Sequence, residues 1–421
     1  MVFEREAVSV ISSITGRLSD FVEFKNGKSS PDRSDSGSFD VYGSNGIIGK
    51  ADAINAPECT LVVGRVGSYC GSVHYSPNKC WVTDNAIIGG VKNRKEARFW
   101  FYKLLSLELN NHRAGSGQPL LNQQILNSIE VSVPALEDDR CRIAKILGSF
   151  DDKIDVNRRI NQTLEAMAQS IFKSWFVDFD PVKAKITAKQ EGRDPLRAAM
   201  SAISGKPDAE LAALPHEQFD ELAATAALFP DGMEASELGE IPRGWCVERV
   251  GNLFELIYGK ALKSTDRKEG SIPVYGSGGI TGYHDAALVS HGSIIVGRKG
   301  TVGSLYWEDE PFFPIDTTYY VRPQKVPLTY CYYAMQTLGL EKMNTDAAVP
   351  GLNRENVYRL ELVQPDSLIL HKFDAVISKL RKTIRTNSGS SKSLASLRDT
   401  LLPKLLSGEL SVAAAMVDAK I

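Results

Sequence analysis

The chain has 421 residues, of which 43% are apolar and 24% charged, so it is long enough to form more than one globular core. No stretch approaches the roughly 18 uninterrupted apolar residues of a membrane span. The N-terminal residues 1–10 carry acids in place of the basic and apolar regions of a secretory signal. We therefore expect a soluble, cytoplasmic protein without membrane association.

The net charge of −2 does not by itself favour nucleic-acid binding, because DNA-binding domains are typically basic. The charge is segregated along the chain. Residues 178–244 hold 13 acids and 7 bases, whereas residues 366–421 hold 9 bases and 5 acids. Residues 1–135 and 245–365 are near neutral, so phosphate binding there would need locally clustered cations or a basic partner.

The six cysteines are scattered and form no CxxC pair, which suits reduced thiols. Cys59, Cys70, His74 and Cys80 could be considered as a zinc site. Their spacings match no usual ligand pattern, however, and the second half of the chain has no counterpart. We expect neither disulfides nor a metal site.

The first predicted region, residues 1–135, alternates short strand-like runs with glycine turns. Four of its segments recur later in the chain. They are Asp40–Gly49, Leu61–Gly67, Trp81–Asp84 and Pro119–Asn122.

Residues 136–179 change to a long helical pattern in which apolar positions alternate by three and four, as in a heptad seam. Its middle turns polar at Asn157 and Asn161, and buried asparagines fix register and partner in coiled coils. The predicted seam is Ile143, Leu147, Phe150, Ile154, Asn157, Asn161, Leu164, Ala168, Ile171 and Trp175.

Residues 180–240 are rich in alanine, lysine and acids and contain glycine–proline breaks, so they form a long linker. Two weak helical stretches, Pro195–Ile203 and His216–Leu228, indicate a partly ordered crossing without a folded domain of its own.

The second predicted domain, residues 241–365, repeats the first with a period near 231 residues. The recurring segments are Pro273–Gly282, Ile294–Gly300, Pro314–Asp316 and Pro350–Asn353, and their order is kept.

Residues 366–410 repeat the helical pattern, and residues 411–421 form a C-terminal tail. Adding 230 to each seam position of the first helix gives Phe373, Ile377, Leu380, Ile384, Asn387, Ser391, Leu394, Arg398, Leu401 and Leu405, a seam with one charged exception. Such stripes can also pack on their own domain. Two seams in one register favour pairing of the helices with each other, and the spacing leaves parallel and antiparallel orientations open.

The residues shared by the two copies are turn residues suited to recognition: glycine permits close backbone approach, and arginine reads guanine edges and phosphates. A solvated surface arginine in a tight turn is the alternative for Arg65 and Arg298. The candidate DNA-binding residues are Tyr42, Ser44, Arg65, Tyr275, Ser277, Arg298, Lys299 and Thr301.

Catalytic signatures are missing from the sequence. The segments Gly27–Ser29 and Gly49–Ala51 fall short of a nucleotide-phosphate loop, and no GxSxG, HExxH or methyltransferase Asn/Asp-Pro-Pro-aromatic motif occurs. We predict no catalytic residues in this chain.

The whole organisation resembles the specificity (S) subunits of type I restriction-modification systems, over nearly the full chain. The segments that carry the resemblance are Gln118–Asn122 with Ile129–Pro134, Ala166–Asp180 (AMAQSIFKSWFVDFD), Leu238–Trp245, Tyr275–Gly279 and Leu401–Leu410 (LLPKLLSGEL).

The resemblance implies an α+β fold of two tandem target recognition domains, each a small mixed β-sheet with helices followed by one long helix. It implies that each domain reads one half of a bipartite double-stranded DNA site. The two helices would pair as an antiparallel coiled coil that sets the spacing and docks methyltransferase (M) subunits, two being the expected number.

Restriction (R) subunits complete such a complex. S-adenosylmethionine, ATP and Mg²⁺ would be used by those partners, so this chain is expected to be neither an enzyme nor a cofactor-binding protein. Three other interpretations stay open at this point: a stand-alone nuclease or methyltransferase, an adapter that binds protein or RNA, and the S chain of a related system whose modification and nuclease partner is fused.

Overall fold

The computed structural model describes residues 12–113, 120–343 and 351–410. The N-terminal residues 1–11, the repeated prolines Pro119 and Pro350, and the tail 411–421 therefore lie outside the described residues. The chain divides into two compact units: Met1–Arg158 with Ser388–Ile421, and Arg159–Asn387.

The first unit contains one recognition domain and the beginning of a long helix. Its strands are β1 (Ser13–Arg17), β2 (Val22–Asn26), β3 (Phe39–Gly43), β4 (Gly46–Ala51), β5 (Thr60–Gly64), β6 (Val73–Ser76), β7 (Trp81–Val82), β8 (Ala86–Val91) and β9 (Glu130–Pro134). Its α-helices are α1 (Leu18–Phe21), α2 (Ala97–Ser106), α3 (Gln123–Ser128) and the first half of α4 (Glu137–Phe176). Short 3-10 turns lie at Gly67–Tyr69, Arg94–Glu96 and Leu109–His112.

Three small sheets build this domain, the smallest being the antiparallel pair β1-β9. Strands β2-β8-β5-β6 form an antiparallel sheet, and β4-β3-β7 form a mixed one in which β7 runs parallel to β3. Every residue of β5 is buried, as its run of apolar residues predicts for a central strand. Helix α2 packs on this sheet through buried Phe99, Trp100 and Leu104.

A buried ion pair fastens α4 to the domain. Arg140 Nη2 lies 2.8 Å from Glu96 Oε1, and Trp100 Nε1 donates to Glu96 Oε2 at 3.1 Å. Three acids, Glu137 to Asp139, occupy the first turn of α4, where negative charge favours a helix N-terminus.

The linker is more ordered than the sequence indicated. It contains α5 (Asp180–Gln190), α6 (Pro195–Ser204), α7 (Asp208–Leu211), α8 (His216–Leu228) and the hairpin β10 (Met233–Ser236) with β11 (Gly239–Pro242). Both predicted helical stretches are present. Side chains of α6, α7 and α8 also form a small core of Ala199, Met200, Leu211 and Ala226, and the whole segment belongs to the second unit.

The second domain repeats the first, strand for strand. Its strands are β12 (Cys246–Arg249), β13 (Phe254–Tyr258), β14 (Ile272–Gly276), β15 (Gly279–His284), β16 (Ser293–Gly297), β17 (Leu305–Glu308), β18 (Phe313–Pro314), β19 (Thr318–Pro323) and β20 (Glu361–Gln364). Its helices are α9 (Val250–Leu253), α10 (Leu328–Thr337), α11 (Arg354–Tyr358) and the start of α12 (Ser367–Ser407), with 3-10 turns at Ser264–Asp266 and Leu340–Lys342. The sheet orders β13-β19-β16-β17 and β15-β14-β18 match those of the first domain.

The long helices α4 and α12 run antiparallel, which the sequence alone had left open. In the first unit, Asn157 Nδ2 donates to Ser391 Oγ at 3.2 Å. In the second unit, Asn387 Nδ2 donates to Asn161 Oδ1 at 2.9 Å. Asp151 also pairs with Arg398 in the first unit and Glu165 with Arg381 in the second, so residue numbers rise along α4 as they fall along α12 in both units. The helices are slightly shorter at their ends than predicted from 136–179 and 366–410.

Every predicted seam residue is buried or half-buried. In the first unit, Leu147 and Phe150 share a core with Leu405, and in the second, Trp175 shares one with Phe373. The α+β organisation with an antiparallel pair of long helices is therefore confirmed.

Candidate nucleic-acid interface

In the first domain, backbone hydrogen bonds bring the repeated glycine turns together. The amide of Lys28 donates to Val82 O at 3.1 Å, and the amide of Arg65 donates to Asn85 O at 2.9 Å. Ser44 Oγ donates to the same Asn85 carbonyl at 2.6 Å. Strand β7 and the turn after it thus bond to the turns that carry Lys28, Arg65 and Ser44.

The second domain builds the same arrangement. The amide of Lys260 donates to Pro314 O at 3.1 Å, and that of Arg298 donates to Thr317 O at 2.9 Å. Ser277 Oγ accepts from the amide of Thr301 at 3.3 Å, so this serine bonds to the arginine turn, whereas Ser44 bonds to the turn after β7.

Arg65 and Arg298 have equivalent, half-buried positions. Their Nη1 atoms donate to the carbonyls of Asp84 (3.4 Å) and Asp316 (2.9 Å). A guanidinium has five N–H donors, so one such bond orients the group and leaves other donors for a ligand. Both guanidinium groups are thus partly shielded from solvent and held in one orientation, as suits a side chain that contacts DNA.

Leu121 and Leu352, the leucines of the repeated Pro-x-Leu-Asn segment, hydrogen bond to the two arginine turns. The carbonyl of Arg65 accepts from the amide of Leu121 at 2.9 Å, and that of Arg298 accepts from the amide of Leu352 at 2.8 Å. The leucine–asparagine part of the repeated Pro-x-Leu-Asn segment therefore supports the arginine turn.

Arg298 also stacks on aromatic rings. Its Cζ lies 4.9 Å from the ring centroid of Tyr258 and 6.0 Å from that of Tyr319. Arg354 Cζ lies 5.1 Å from the same Tyr258 ring, so two cations share one aromatic side chain. Asn26 occupies the place of Tyr258 in the first domain, and a search for shared residues therefore could not find this cluster.

Lys299 and Thr301 are exposed beside this cluster, as a surface role requires. The amide of Lys299 donates to Thr317 O at 3.1 Å. Val66 stands at the position of Lys299 in the first domain, so the second arginine turn carries one more cation.

Two predicted readers, Tyr42 and Tyr275, belong to the core, which corrects the prediction. A β-bulge follows Val41 and another follows Val274, so two consecutive residues of each strand point inward. Tyr42 is buried, and Tyr275 donates its hydroxyl to Glu308 Oε2 at 2.8 Å. Burial raises the pKa of both phenols.

The sequence search missed Lys28 and Lys260, which occupy equivalent exposed turn positions. The preceding Gly27 and Gly259 cannot be replaced without a clash, because an added Cβ would lie 2.0 Å and 2.2 Å from backbone oxygens. The Gly-Lys pair recurs 232 residues apart, and that spacing could have revealed it.

Exposed isoleucines and further arginines surround the hairpin turns. Ile47 and Ile280 pair with Tyr42 and Tyr275 across the hairpins and remain 56% and 51% exposed. Arg33 Nη1 donates to Ile48 O at 2.9 Å, and Arg267 Nη1 donates to Thr281 O at 2.7 Å. Repeated apolar and cationic side chains on one surface are suited to thymine methyl groups and to phosphates.

The cysteine and histidine set considered for zinc takes structural positions. His74 Nε2 lies 3.4 Å from Ser44 O, Cys70 Sγ lies 3.3 Å from Arg65 O, and Cys80 is buried in the small core around Tyr42. Burial lowers the pKa of His74. Across the described ranges, no three His, Cys, Asp or Glu side chains are grouped to hold a metal ion.

None of the helices among the described residues is both long and apolar enough to cross a membrane.

Two domains of one fold, each with a cationic cluster of turns and each continued by a long helix, define a duplicated recognition protein. Residues 14–166 and 242–387 match the family model described as type I restriction modification DNA specificity domain. The match spans most of the chain, which therefore belongs to this family. It is a DNA-specificity subunit of the type I restriction-modification class, whose members recognise DNA and do not catalyse.

Two relatives and one solved structure place the chain further. It is 32% identical over 334 residues to the type I restriction enzyme HindI specificity subunit of Haemophilus influenzae, covering 69% of this chain and 71% of that one. It is 24% identical over 340 residues to the MjaIX specificity subunit of Methanocaldococcus jannaschii, covering 74% and 67%. The crystal structure of an S subunit from M. genitalium has the same fold, with a TM-score of 0.57 at 18% identity over 96% of this chain and 98% of that one.

Proposed function

We propose that each recognition domain reads one half of a bipartite double-stranded DNA site. The observation that carries this proposal is the repeated cluster of turns, which offers Lys28 and Arg65 in one domain and Lys260 and Arg298 in the other. Two near-neutral domains thus concentrate exposed or half-buried cations at one equivalent surface each.

The side chains of this surface divide into two kinds of contact. Lys28 and Lys260 are exposed point charges that suit phosphates and carry no sequence information. Arg65 and Arg298 are oriented by carbonyls and suit bidentate contacts to guanine. Variable residues around these turns would set the base preference.

The antiparallel helices α4 and α12 would fix the spacing between the half-sites and dock M subunits, two being the expected number, with R subunits completing a restriction-active complex. S-adenosylmethionine, ATP and Mg²⁺ would be used by those partners. Because the targets are chromosomal or invading DNA, the working location would be the cytoplasm.

Methylome sequencing tests this function directly. A host carries the M subunits and either the natural chain or a chain whose residues 1–135 come from a relative. We expect the exchange to change only one half of the methylated site. If both halves change together, or neither changes, the two-module proposal is wrong.

A biochemical control accompanies this test. The purified chain alone should show neither methyl transfer nor DNA cleavage, and methylation should appear once M subunits are added. Turnover by the rigorously pure chain would contradict the division of labour.

A further inference from the structure

A half-buried ion pair joins α4 to α12 in each unit. In the first unit, Arg398 Nη1 lies 2.5 Å from Asp151 Oδ1, and in the second, Arg381 Nη1 lies 3.0 Å from Glu165 Oε2. At most 28% of any of these four side chains is exposed. In both pairs the acid is on α4 and the arginine is on α12.

The recognition domains hold these pairs in place. Tyr102 of α2 donates its hydroxyl to Asp151, and Tyr333 of α10 donates to Glu165 at 3.4 Å. Arg381 Cζ lies 4.4 Å from the ring centroid of Trp307. These pairs are therefore packed against protein, where an uncompensated charge costs far more than at the surface.

The duplicated seam allows the register of other pairings to be worked out. Position 151 of α4 corresponds to position 381 of α12, because the seams differ by 230 residues. If two copies of α4 paired in the observed register, Glu165 would face Asp151 of the second copy in place of Arg381. Two-fold symmetry would repeat this acid–acid contact.

The same reasoning applies to α12. In a pair of two α12 helices, Arg398 would face Arg381 of the second copy in place of Asp151. Both like-with-like pairings thus put equal charges at half-buried sites, whereas α4 with α12 puts opposite charges there.

The polar centre of the seam does not make this distinction. Asn157, Asn161, Asn387 and Ser391 all carry side chains that donate and accept, so any combination of them can hydrogen bond. The discrimination comes from the two acids of α4 and the two arginines of α12, one of which, Arg398, interrupts the predicted apolar seam.

We propose that this division of charge selects the partner of each long helix: α4 accepts α12 and rejects a second α4, and α12 likewise rejects a second α12. The chain therefore closes on its own two helices and does not exchange them with a second copy. This inference is independent of how the domains read DNA.

Full-length charge-reversed chains test the proposal. The basic chain carries Asp151→Arg and Glu165→Arg, and the acidic chain carries Arg381→Glu and Arg398→Glu. In either chain alone, both helices have the same charge at these sites. Mixing the two offers opposite charges only between chains. In the natural chain, the two helices meet at a high effective concentration whatever their charges, because they belong to one chain. Charge reversal is therefore needed to measure the preference of each helix for its partner.

Sedimentation and light scattering provide the readout after co-refolding and after co-expression. We expect each reversed chain to be aggregated or to lose its cooperative thermal transition. The mixture should form a soluble heterodimer of twice the 46.1 kDa chain mass. A chain that carries all four reversals should return to a folded monomer.

Three outcomes would overturn the proposal: either reversed chain folding as a stable monomer, either forming homodimers as readily as the mixture forms heterodimers, or mixing failing to restore solubility. Asp155→Arg on α4 and Lys392→Glu on α12 are the matched controls, because both side chains are exposed. These controls should stay monomeric with the natural thermal transition.

Discussion

The guanidinium of Arg298 lies over the ring of Tyr258, with Cζ 4.9 Å from the ring centroid, while its Nη1 donates to Asp316 O. Stacking and the hydrogen bond fix the plane of the guanidinium before any ligand arrives. Such preorganisation lowers the entropy lost on binding. The second domain therefore has a better-positioned arginine than the first, in which Arg65 has only the longer 3.4 Å bond to Asp84 O.

We expect Arg298→Ala to reduce discrimination at one base pair of one half-site by about 1 to 3 kcal/mol, because a bidentate contact is lost. Arg298→Lys should not restore it, since lysine lacks the planar fork. Tyr258→Leu should have a smaller effect, about 0.5 to 1 kcal/mol from the lost cation–π contact. Competition binding of the M-subunit complex to substituted DNA sites measures these differences.

Arg322→Ala is the control for these variants, because Arg322 pairs with Glu255 towards the opposite end of the same two strands. It should leave discrimination unchanged. Unaltered affinity and specificity in Arg298→Ala and Arg65→Ala alike would assign both arginines a purely structural role in their turns.

Lys28→Ala and Lys260→Ala should weaken binding to all DNA sequences alike. A lost phosphate contact releases one counterion fewer, so the slope of log affinity against log salt should fall by about 1 for each variant. Lys25→Ala, which removes an exposed lysine paired with Glu23, should leave the slope unchanged. A changed sequence preference in Lys28→Ala would show that this lysine contacts bases.

The repeat and the helix seam could be predicted because their signals are periodic and extend over many residues. Tyr42 and Tyr275 could not be placed correctly, since a β-bulge turns both side chains inward and no sequence pattern marks the extra residue. The linker core was missed because small residues such as Ala199 and Ala226 give little apolar contrast. The cluster of Tyr258 with Arg354 was missed since neither residue recurs in the first copy.

His74 predicts a dependence of the first domain's stability on pH. Burial lowers its pKa below the ordinary 6.5, so the unfolded chain takes up a proton before the folded chain does. The contribution of neutral His74 to the free energy of unfolding is thus fully present above pH 6.5. It is lost as the pH falls from 6.5 through the pKa of the folded state. Tyr306, which stands at the equivalent position, donates its hydroxyl to Ser277 O at 3.2 Å.

When the pH is lowered from about 7.5 to about 5.5, the free energy of unfolding of the natural chain should fall. We expect it to fall less in His74→Tyr. Urea unfolding, followed at both values with and without the substitution, provides the comparison. The reciprocal Tyr306→His should introduce a similar dependence into the second domain. Equal pH profiles for the natural chain and His74→Tyr would show that His74 is protonated without cost.

The long helices predict how the spacing of the DNA site can be changed. Inserting one heptad into each helix, between Asn157 and Asn161 and between Asn387 and Ser391, keeps both seams continuous and adds about 10 Å at 1.5 Å per residue. The spacer between half-sites should then grow by up to about three base pairs, at about 3.4 Å each, with unchanged half-sites. A three-residue insertion at the same places rotates the seams and should impair folding or assembly.

Methylome sequencing measures the spacing of the methylated sites. An active heptad variant that still methylates sites of the original spacing would show that these helices do not set the distance.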